Sequence, residues 1–384
     1  MTTQIALLNM SGIAIASDTL ASLRAGAAFK HSLGNSKIWV PSDDHKFVVY
    51  HSGSARFNSM PHQIHVEEWF RSLTKPLATL GDYVESYKRF CVSKNSPHSQ
   101  QSEIDLIHAI WNELSTILRE NIDREAAGLD LTTPEGKKAW NEIILSEITE
   151  AGDYYAKIEN FKGFTIAFID ETLAKHKIDL RAKLKELFPE GTSAKFMNKA
   201  LATFKKFLVS KVSTEQDTTL TFAGYGAKDL FPSTRKVDFR GVINGKLWSE
   251  PNQEIILDPS KRLGGIVYGA QTDAVWGLIQ GYRFPVQNLL TRILREELPE
   301  AEDTEERITK IIDELGNRTG DDYVSPAMKR IVNHSLPELA ESALTMVNLQ
   351  VLSAKLSKNQ ETVGGDIEVV TIDKINGIRW QNRI

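Results

Sequence analysis

Thr2 is the first residue of this sequence whose type and position could support chemistry. If the initiator Met1 is removed, Thr2 becomes a free N-terminus, and a threonine that uses its own α-amine as the base is a known activated nucleophile. The alternative is that Thr2 simply begins an edge strand, because a threonine after the initiator methionine is common. The residues that follow decide between these two interpretations.

The segment after Thr2 has the pattern of a β-hairpin. Two apolar runs, Ile5–Leu8 and Ile13–Ala16, flank the turn-forming residues 9–12. Such runs around a turn indicate two strands that are both buried. The second strand ends at Asp18, and the hairpin can return this aspartate to the neighbourhood of Thr2.

Further short strands follow the hairpin. Residues 34–40 are predicted to form a strand that opens with Lys37, and residues 46–50 are predicted to form another. Residues 51–56 are mostly small and lead into a helix that the pattern predicts over 55–73. A strand, a turn of small residues and a helix therefore follow one another directly.

This succession resembles the start of proteasome β subunits and their bacterial relatives, which are N-terminal-nucleophile hydrolases. The matching features are the Thr2-Thr3 start, Ser17-Asp18 at the end of the hairpin, the strand that begins Lys37-Ile38, and the small-residue turn before the first helix. A later segment, Val363–Ile372, is similar to the penultimate core strand of that family. The resemblance covers about half of the chain.

The resemblance implies a role for each of the matching residues. Thr2 corresponds to the nucleophile, Asp18 to its acidic partner and Lys37 to the buried lysine that pairs with that acid. An ammonium beside Thr2 would lower the pKa of the hydroxyl and of the α-amine. The oxyanion donor is expected to be a backbone N–H, with Ser52 and Gly53 as the candidates. Taken singly, the aspartate could merely end a strand and the lysine could be exposed.

The supporting residues of the family's site are only partly present. Ala270 stands where the family has an assisting serine, although Thr272 is an alternative hydroxyl nearby. Gln360 and Val363 stand near the positions of a late aspartate and serine, and Leu20 replaces an arginine. These departures leave open a second function, that of a catalytically silent, proteasome-like assembly or scaffold subunit.

The order of predicted elements favours an α+β fold. The resemblance implies a four-layer αββα sandwich, in which two antiparallel sheets lie between helical layers. The core is predicted to comprise residues 1–95, 216–283 and 335–384. Residues 96–215 are predicted to be a long helical insertion, and residues 284–334 are predicted to be a second one.

Composition restricts the class of protein. Of the 384 residues, 41% are hydrophobic and 25% are charged, as in ordinary globular proteins, and the net charge of −4 argues against nucleic acid as a partner. Cys91 is the single cysteine, so no internal disulfide is possible and a reducing compartment fits. No run approaches the length of a membrane span, and no leader is recognised at the N-terminus. We therefore expect a cytoplasmic protein.

His62 and His65 lie on one face of the predicted helix over 55–73. Two histidines at this spacing suggest a metal site, but zinc needs three or four ligands and no further pair has suitable spacing. We therefore predict a solvated helical face, with no metal and no cofactor.

The expected activity is cleavage of amide bonds by Thr2, with a peptide or protein as substrate and a small amide as the alternative. The family's assemblies suggest a homo-oligomeric ring. Because the sequence has no phosphate-binding GxxxxGK[ST] loop, any nucleotide-driven step would need a separate ATP-dependent partner. The basic helix predicted over 194–212 is a candidate partner surface, although a solvated face is the simpler interpretation.

Overall fold

The chain has a mixed α+β fold in which the sheets are antiparallel. A computed structural model describes residues 2–25, 28–32, 34–42, 44–187, 194–299, 303–357 and 363–383. Gln360 lies outside these described residues. The predicted hairpin is present, with one strand over Thr3–Asn9 and the next over Gly12–Asp18.

Most strands lie at the two ends and in the middle of the chain. The strands are β1 (Thr3–Asn9), β2 (Gly12–Asp18), β3 (Ala21–Ala25), β4 (Ala28–Ser32), β5 (Ile38–Trp39), β6 (Phe47–Gly53), β7 (Arg56–Phe57), β8 (Met60–Pro61), β9 (Thr218–Gly224), β10 (Ser233–Ile243), β11 (Lys246–Ile256), β12 (Gly264–Ala270), β13 (Ile367–Asp373) and β14 (Gly377–Asn382). Every pairing among these strands is antiparallel.

The helices occupy the segments between these groups of strands. They are α1 (His62–Ser72), α2 (Leu80–Cys91), α3 (Gln100–Glu125), α4 (Pro134–Ala156), α5 (Ile166–Lys175), α6 (Leu180–Leu187), α7 (Ala194–Val209), α8 (Asp273–Gln280), α9 (Phe284–Glu297), α10 (Thr304–Thr319), α11 (Ser325–Asn333) and α12 (Leu336–Leu356). A π-helical turn, Gly320–Val324, joins α10 to α11.

Two five-stranded sheets carry the N-terminal hairpin and its neighbours. The first has the strand order β12-β1-β2-β13-β14, and the second has the order β11-β10-β9-β6-β5. Alternate side chains of a strand point to opposite faces of its sheet. Ala6 and Leu8 from the first sheet share one buried apolar cluster with Val48 and Ala223 from the second. Ile5 and Leu7, which alternate with Ala6 and Leu8 along β1, therefore point to the other face.

Helices cover the outer faces of both sheets. Ile5 and Leu7 pack in a cluster with Leu339 of α12 and Val275 of α8. On the second sheet, Trp69 of α1 and Tyr87 of α2 pack against strands β9 and β10. Strands β1 and β2 are buried on both faces, which explains the continuous apolar runs in the hairpin.

Helices α3 to α7 have an apolar core of their own. Trp111 of α3 and Phe204 of α7 contact each other in this core, with ring centroids 4.7 Å apart. Ile243 and Trp248, from the β10–β11 hairpin, belong to the same cluster and connect it to the second sheet. The division of the chain into core and insertions stays a prediction.

The predicted helix over 55–73 is wrong at its start. Residues 56–61 form the short strands β7 and β8, and α1 begins only at His62. Between these strands, Asn58 has φ of 47°, and its side chain donates to the carbonyl of Val242 and accepts from the N–H of the same residue. These bonds to a distant strand hold the turn, and they cannot be inferred from local periodicity.

Candidate functional site

Thr2 directly precedes β1, a strand of the first sheet. Its carbonyl accepts a hydrogen bond from the N–H of Gln271 at 2.9 Å, which continues the pairing of β1 with β12 beyond Thr3. Alternation along the strand therefore places Thr2 on the same face as Gln4 and Ala6, the face directed toward the second sheet. Thr2 is buried, with 5% of its surface exposed.

Asp18 and Lys37 form a buried ion pair. The Nζ of Lys37 lies 2.6 Å from Oδ1 of Asp18 and donates a second hydrogen bond to the carbonyl of Leu20 at 2.8 Å. The backbone N–H of Thr3 also donates to Oδ1 of Asp18, at 2.9 Å, and that of Gly364 donates to Oδ2, at 3.1 Å. The carboxylate is therefore fixed by three donors, one of them next to Thr2.

The two sheets position this pair from opposite sides. Asp18 ends β2, the central strand of the first sheet, and Lys37 directly precedes β5, at the edge of the second. The carbonyl of Lys37 accepts from the N–H of His51 at 3.2 Å, which anchors the lysine backbone to β6. The ion pair thus crosses from one sheet to the other.

Burial perturbs the titration of both partners. Desolvation raises the pKa of Asp18, and this effect is opposed by Lys37 and by the two backbone N–H donors. Desolvation also lowers the pKa of Lys37, and the charges of Asp18 and Glu368 oppose that effect. An ammonium has three N–H donors, and Asp18 and Leu20 accept two of those of Lys37, so within the described part of the chain one is available to a neighbouring group.

Ser52 and Gly53 lie at the end of β6, next to the carbonyl of Lys37 that binds His51. The N–H of His51 is used in that bond, and the N–H of Ser54 donates to the carbonyl of Asp217 at 2.9 Å. Gly53 has φ of +89°, and a Cβ added there would lie 2.5 Å from the carbonyl oxygen of Asp217. This backbone position therefore requires glycine.

Glu368 is a buried carboxylate that the sequence analysis missed. It lies opposite Ser17 in the pairing of β13 with β2, and its side chain is 2% exposed. The hydroxyl of Ser36, the residue before Lys37, donates to Oε2 of Glu368 at 2.7 Å. A single glutamate in the apolar strand Ile367–Asp373 was the sequence signal that could have found it.

Gln4 and Ser17 form a row of polar residues with Glu368 across three neighbouring strands. Gln4 lies opposite Ser17 in the hairpin, and its Nε2 donates to the Ser17 hydroxyl at 3.2 Å and to the carbonyl of His51 at 2.9 Å. The row Gln4–Ser17–Glu368 therefore lies on the face of Thr2.

The residues that depart from the family's pattern are also placed. Ala270 lies opposite Thr3 with φ of 54°, in the left-handed region, and Thr272 is buried at the start of α8. Val363 is fully buried in the apolar cluster against α12. Neither Ala270 nor Val363 can supply a hydroxyl.

The prediction of a solvated face for His62 and His65 is wrong. Both are fully buried, and both contact the hydroxyl of Tyr87, at 2.7 Å and 3.0 Å. Desolvation lowers the pKa of His65 to about 3, and His98 adds to this effect. Across the described ranges, no group of three His, Cys, Asp or Glu residues is arranged to hold a metal ion.

Two of the four lysines of the basic helix α7 bind groups within the protein. Lys205 pairs with Asp170 at 2.5 Å, and Lys206 donates to the carbonyl of Gly152 at 3.0 Å. Where the helices are described, none is long and apolar enough to span a membrane.

Comparison with known proteins found similar chains among solved structures. No protein-family model matches the sequence, and no curated protein matches it. Among solved structures, the chain is similar to the Anbu (Gly-1) mutant from Hyphomicrobium sp. strain MC1, with a TM-score of 0.29 and 8% sequence identity. The match covers 100% of this chain and 86% of that chain. A similarity at this TM-score assigns no family to the chain.

Proposed function

We propose that the protein is a hydrolase that cleaves amide bonds with Thr2 as the nucleophile, after removal of Met1. The observation that carries this proposal is the buried Lys37–Asp18 pair, whose carboxylate is bound to the N–H of Thr3. An ammonium, a carboxylate and a threonine are thereby concentrated at the start of one strand. Buried ion pairs are costly to desolvate, and active sites are where such pairs are concentrated.

The chemistry follows from the properties of these groups. The free α-amine of Thr2 removes the proton of its own hydroxyl, and Oγ attacks the carbonyl carbon of the amide. Lys37 stabilises the negative charge that develops on Oγ, while Asp18 holds the lysine in place. The amine then transfers the proton to the leaving nitrogen, which leaves an ester on Thr2. Water hydrolyses the ester and restores the hydroxyl.

Gly53 is the proposed oxyanion donor. Successive N–H groups of a strand point to alternate sides, so the N–H of Gly53 points to the same side as that of His51. His51 donates to Lys37, and the short strand β5 begins after this lysine. The N–H of Gly53 would therefore be directed beside Lys37, where a substrate oxygen could accept it.

An electrophilic threonine probe followed by intact mass spectrometry tests the proposal. We expect one adduct on Thr2, in protein that lacks Met1. Thr2→Ala should abolish the adduct and retain the fold, whereas the matched variant Thr3→Ala should still be labelled. An adduct on protein that retains Met1 would contradict the mechanism, because the amide nitrogen of Thr2 would then have no basic lone pair.

The proposal also includes a four-layer architecture for the fold and a set of partners for the protein. The cluster between the two sheets and the helices on their outer faces support a four-layer αββα sandwich. The resemblance to proteasome β subunits suggests a peptide or protein substrate, a homo-oligomeric ring and a separate ATP-dependent partner. Light scattering that gave a monomer at micromolar concentration would refute the ring.

A silent assembly or scaffold subunit is the second candidate function. It is favoured by Ala270 and Val363, whose side chains offer no polar atom where the family has supporting serines. Correctly processed protein that remains inert to the probe would support this function over hydrolysis.

A further inference from the structure

Lys37 has a second carboxylate near it besides Asp18. Glu368 comes from β13, while Asp18 comes from β2, so the two acids approach the lysine from neighbouring strands. Ser36 connects Glu368 to the lysine backbone, because its hydroxyl donates to Oε2 at 2.7 Å. The charge of Glu368 opposes the loss of the lysine proton.

A buried carboxylate at this position is costly unless it is compensated. Glu368 is 2% exposed, and one neutral hydroxyl does not offset the desolvation of a full charge. Among the described residues, Lys37 is the cation whose charge interacts with that of Glu368, and it is shared with Asp18. These three buried ionisable groups therefore form one electrostatic unit.

We propose that Glu368 is a positioning residue for Lys37: held by the Ser36 hydroxyl, its carboxylate keeps the lysine in the ammonium form that the reaction of Thr2 needs. The catalytic part of this inference rests on the function proposed above. The electrostatic part does not, since it concerns only Lys37 and its two acids.

Other ionisable groups around Lys37 also influence the protonation of its side chain. Within the described residues, Asp18, Glu368 and His51 are the groups whose charges interact with the lysine. Desolvation and Lys37 itself lower the pKa of His51 to about 3, so this ring is neutral at working pH. The free α-amine of Thr2 would be a further group after Met1 is removed. Glu368 is then the group that can be neutralised without breaking the bond to Asp18.

The test compares the pH dependence of Thr2 labelling in the wild type and in Glu368→Gln. Glutamine has nearly the same shape and can still accept from Ser36, so the substitution removes mainly the charge. We expect the alkaline limb, where Lys37 loses its proton, to move to lower pH by about one unit. Glu142→Gln, at a side chain that is 70% exposed on α4, is the matched control and should leave the limb in place.

A readout that does not depend on activity accompanies the labelling. The titration of the Lys37 side chain can be followed by NMR of 13C-labelled lysine, with the resonance assigned from Lys37→Arg. Its midpoint should fall in Glu368→Gln along with the alkaline limb. If that variant does not fold, Ser36→Ala should shift both readouts in the same direction, and Ser36→Thr should restore them because it keeps a hydroxyl.

The possible outcomes separate the two proposals. If Thr2 is labelled and neither readout moves in a folded variant, Glu368 has no positioning role and the proposed function stands. If the wild type is never labelled but the Lys37 titration moves, hydrolysis by Thr2 is refuted and the electrostatic coupling stands. If the alkaline limb of labelling and the Lys37 titration both move, the proposed function and the role of Glu368 are both supported. If the wild type is never labelled and the Lys37 titration does not move, both proposals are overturned.

Discussion

The ammonium of Lys37 and the carboxylate of Asp18 meet at 2.6 Å between two different sheets, and both side chains are almost completely buried. Removal of one partner would leave a buried charge without compensation, which typically costs 3–5 kcal/mol. This relationship makes the candidate site a structural element of the fold as well as a chemical one.

Lys37→Met should therefore destabilise the protein by roughly 3 kcal/mol or more, measured by urea unfolding. The double variant with Asp18→Asn should recover part of this loss, because no charge is then left unpaired. Lys138→Met is the control, since Lys138 is 80% exposed and its pairing with Glu142 at 4.0 Å contributes little. Equal effects of Lys37→Met and Lys138→Met would show that the buried pair does not stabilise the fold.

Gly53→Ala should cost more than a glycine substitution at positive φ normally does. The left-handed backbone alone costs about 1 to 2 kcal/mol for alanine, and the contact of the new Cβ with the carbonyl of Asp217 at 2.5 Å adds to this. Gly245→Ala in the β10–β11 turn is the matched control, because φ is +73° there and no atom lies within 4 Å of the Cβ position. A larger loss at Gly245 than at Gly53 in chemical denaturation would contradict the structure.

Ala270→Gly should stabilise the protein or leave its stability unchanged. Ala270 has φ of 54°, a conformation that glycine adopts without the cost paid by alanine, about 1 kcal/mol. The higher entropy of glycine in the unfolded chain offsets part of this gain. Ala270→Val should be clearly destabilising, because a β-branched residue is rarely tolerated at positive φ. Thermal midpoints that fell in Ala270→Gly and not in Ala270→Val would reverse the expected order.

Thr3→Val is expected to be tolerated. The hydroxyl of Thr3 is buried and has no hydrogen-bond partner in the part of the chain that the structure describes. Replacing an unsatisfied hydroxyl with a methyl group of the same shape should be neutral or stabilising by about 1 kcal/mol. The backbone bond from Thr3 to Asp18 is kept in the variant. A loss of more than this amount in urea unfolding would show that the hydroxyl has a partner.

Acid should destabilise the protein through its buried histidines. His51 and His65 have pKa values lowered to about 3 by burial, against 6.5 for an exposed ring. Between these values the unfolded chain binds more protons, so the free energy of unfolding rises with pH from about 3 to 6.5. The burial that raises the pKa of Asp18 acts in the opposite direction above pH 3.8.

The contribution of one ring can be measured as a difference between variants. His65→Gln keeps a polar group near Ser96 and removes one titrating site. The slope of unfolding free energy against pH should decrease by about 1.4 kcal/mol per pH unit between pH 4 and 6. Identical slopes in the variant and the wild type would mean that His65 is protonated in the folded state.

Sequence reasoning succeeded where the signal is local and failed where it is long-range. The hairpin follows from its two apolar runs, and its bounds agree closely with the structure. The bond from Ser36 to Glu368 joins residues separated by 332 positions, and no local pattern indicates it. His62 was predicted to be exposed because Tyr87, which covers it, comes from another helix.

The site itself was predicted only in part for the same reason. The spacing of Asp18 and Lys37 from Thr2 indicated that the three residues belong together, although their catalytic roles stay a prediction. A choice between Ser52 and Gly53 depends on backbone geometry, which one-dimensional spacing does not contain, and our choice of Gly53 stays a proposal.

The bond from Gly364 to Asp18 has a consequence for the timing of assembly during synthesis. It joins residues separated by 346 positions, and β13, which follows Gly364, completes the sheet beside β2. During synthesis, the carboxylate of Asp18 lacks one of its donors until Gly364 has emerged from the ribosome, and β2 lacks its neighbour until β13 has followed. Until then β2 is an unprotected edge that favours aggregation. The bonds that fix Asp18 and the pairing that protects β2 are therefore completed in the same step.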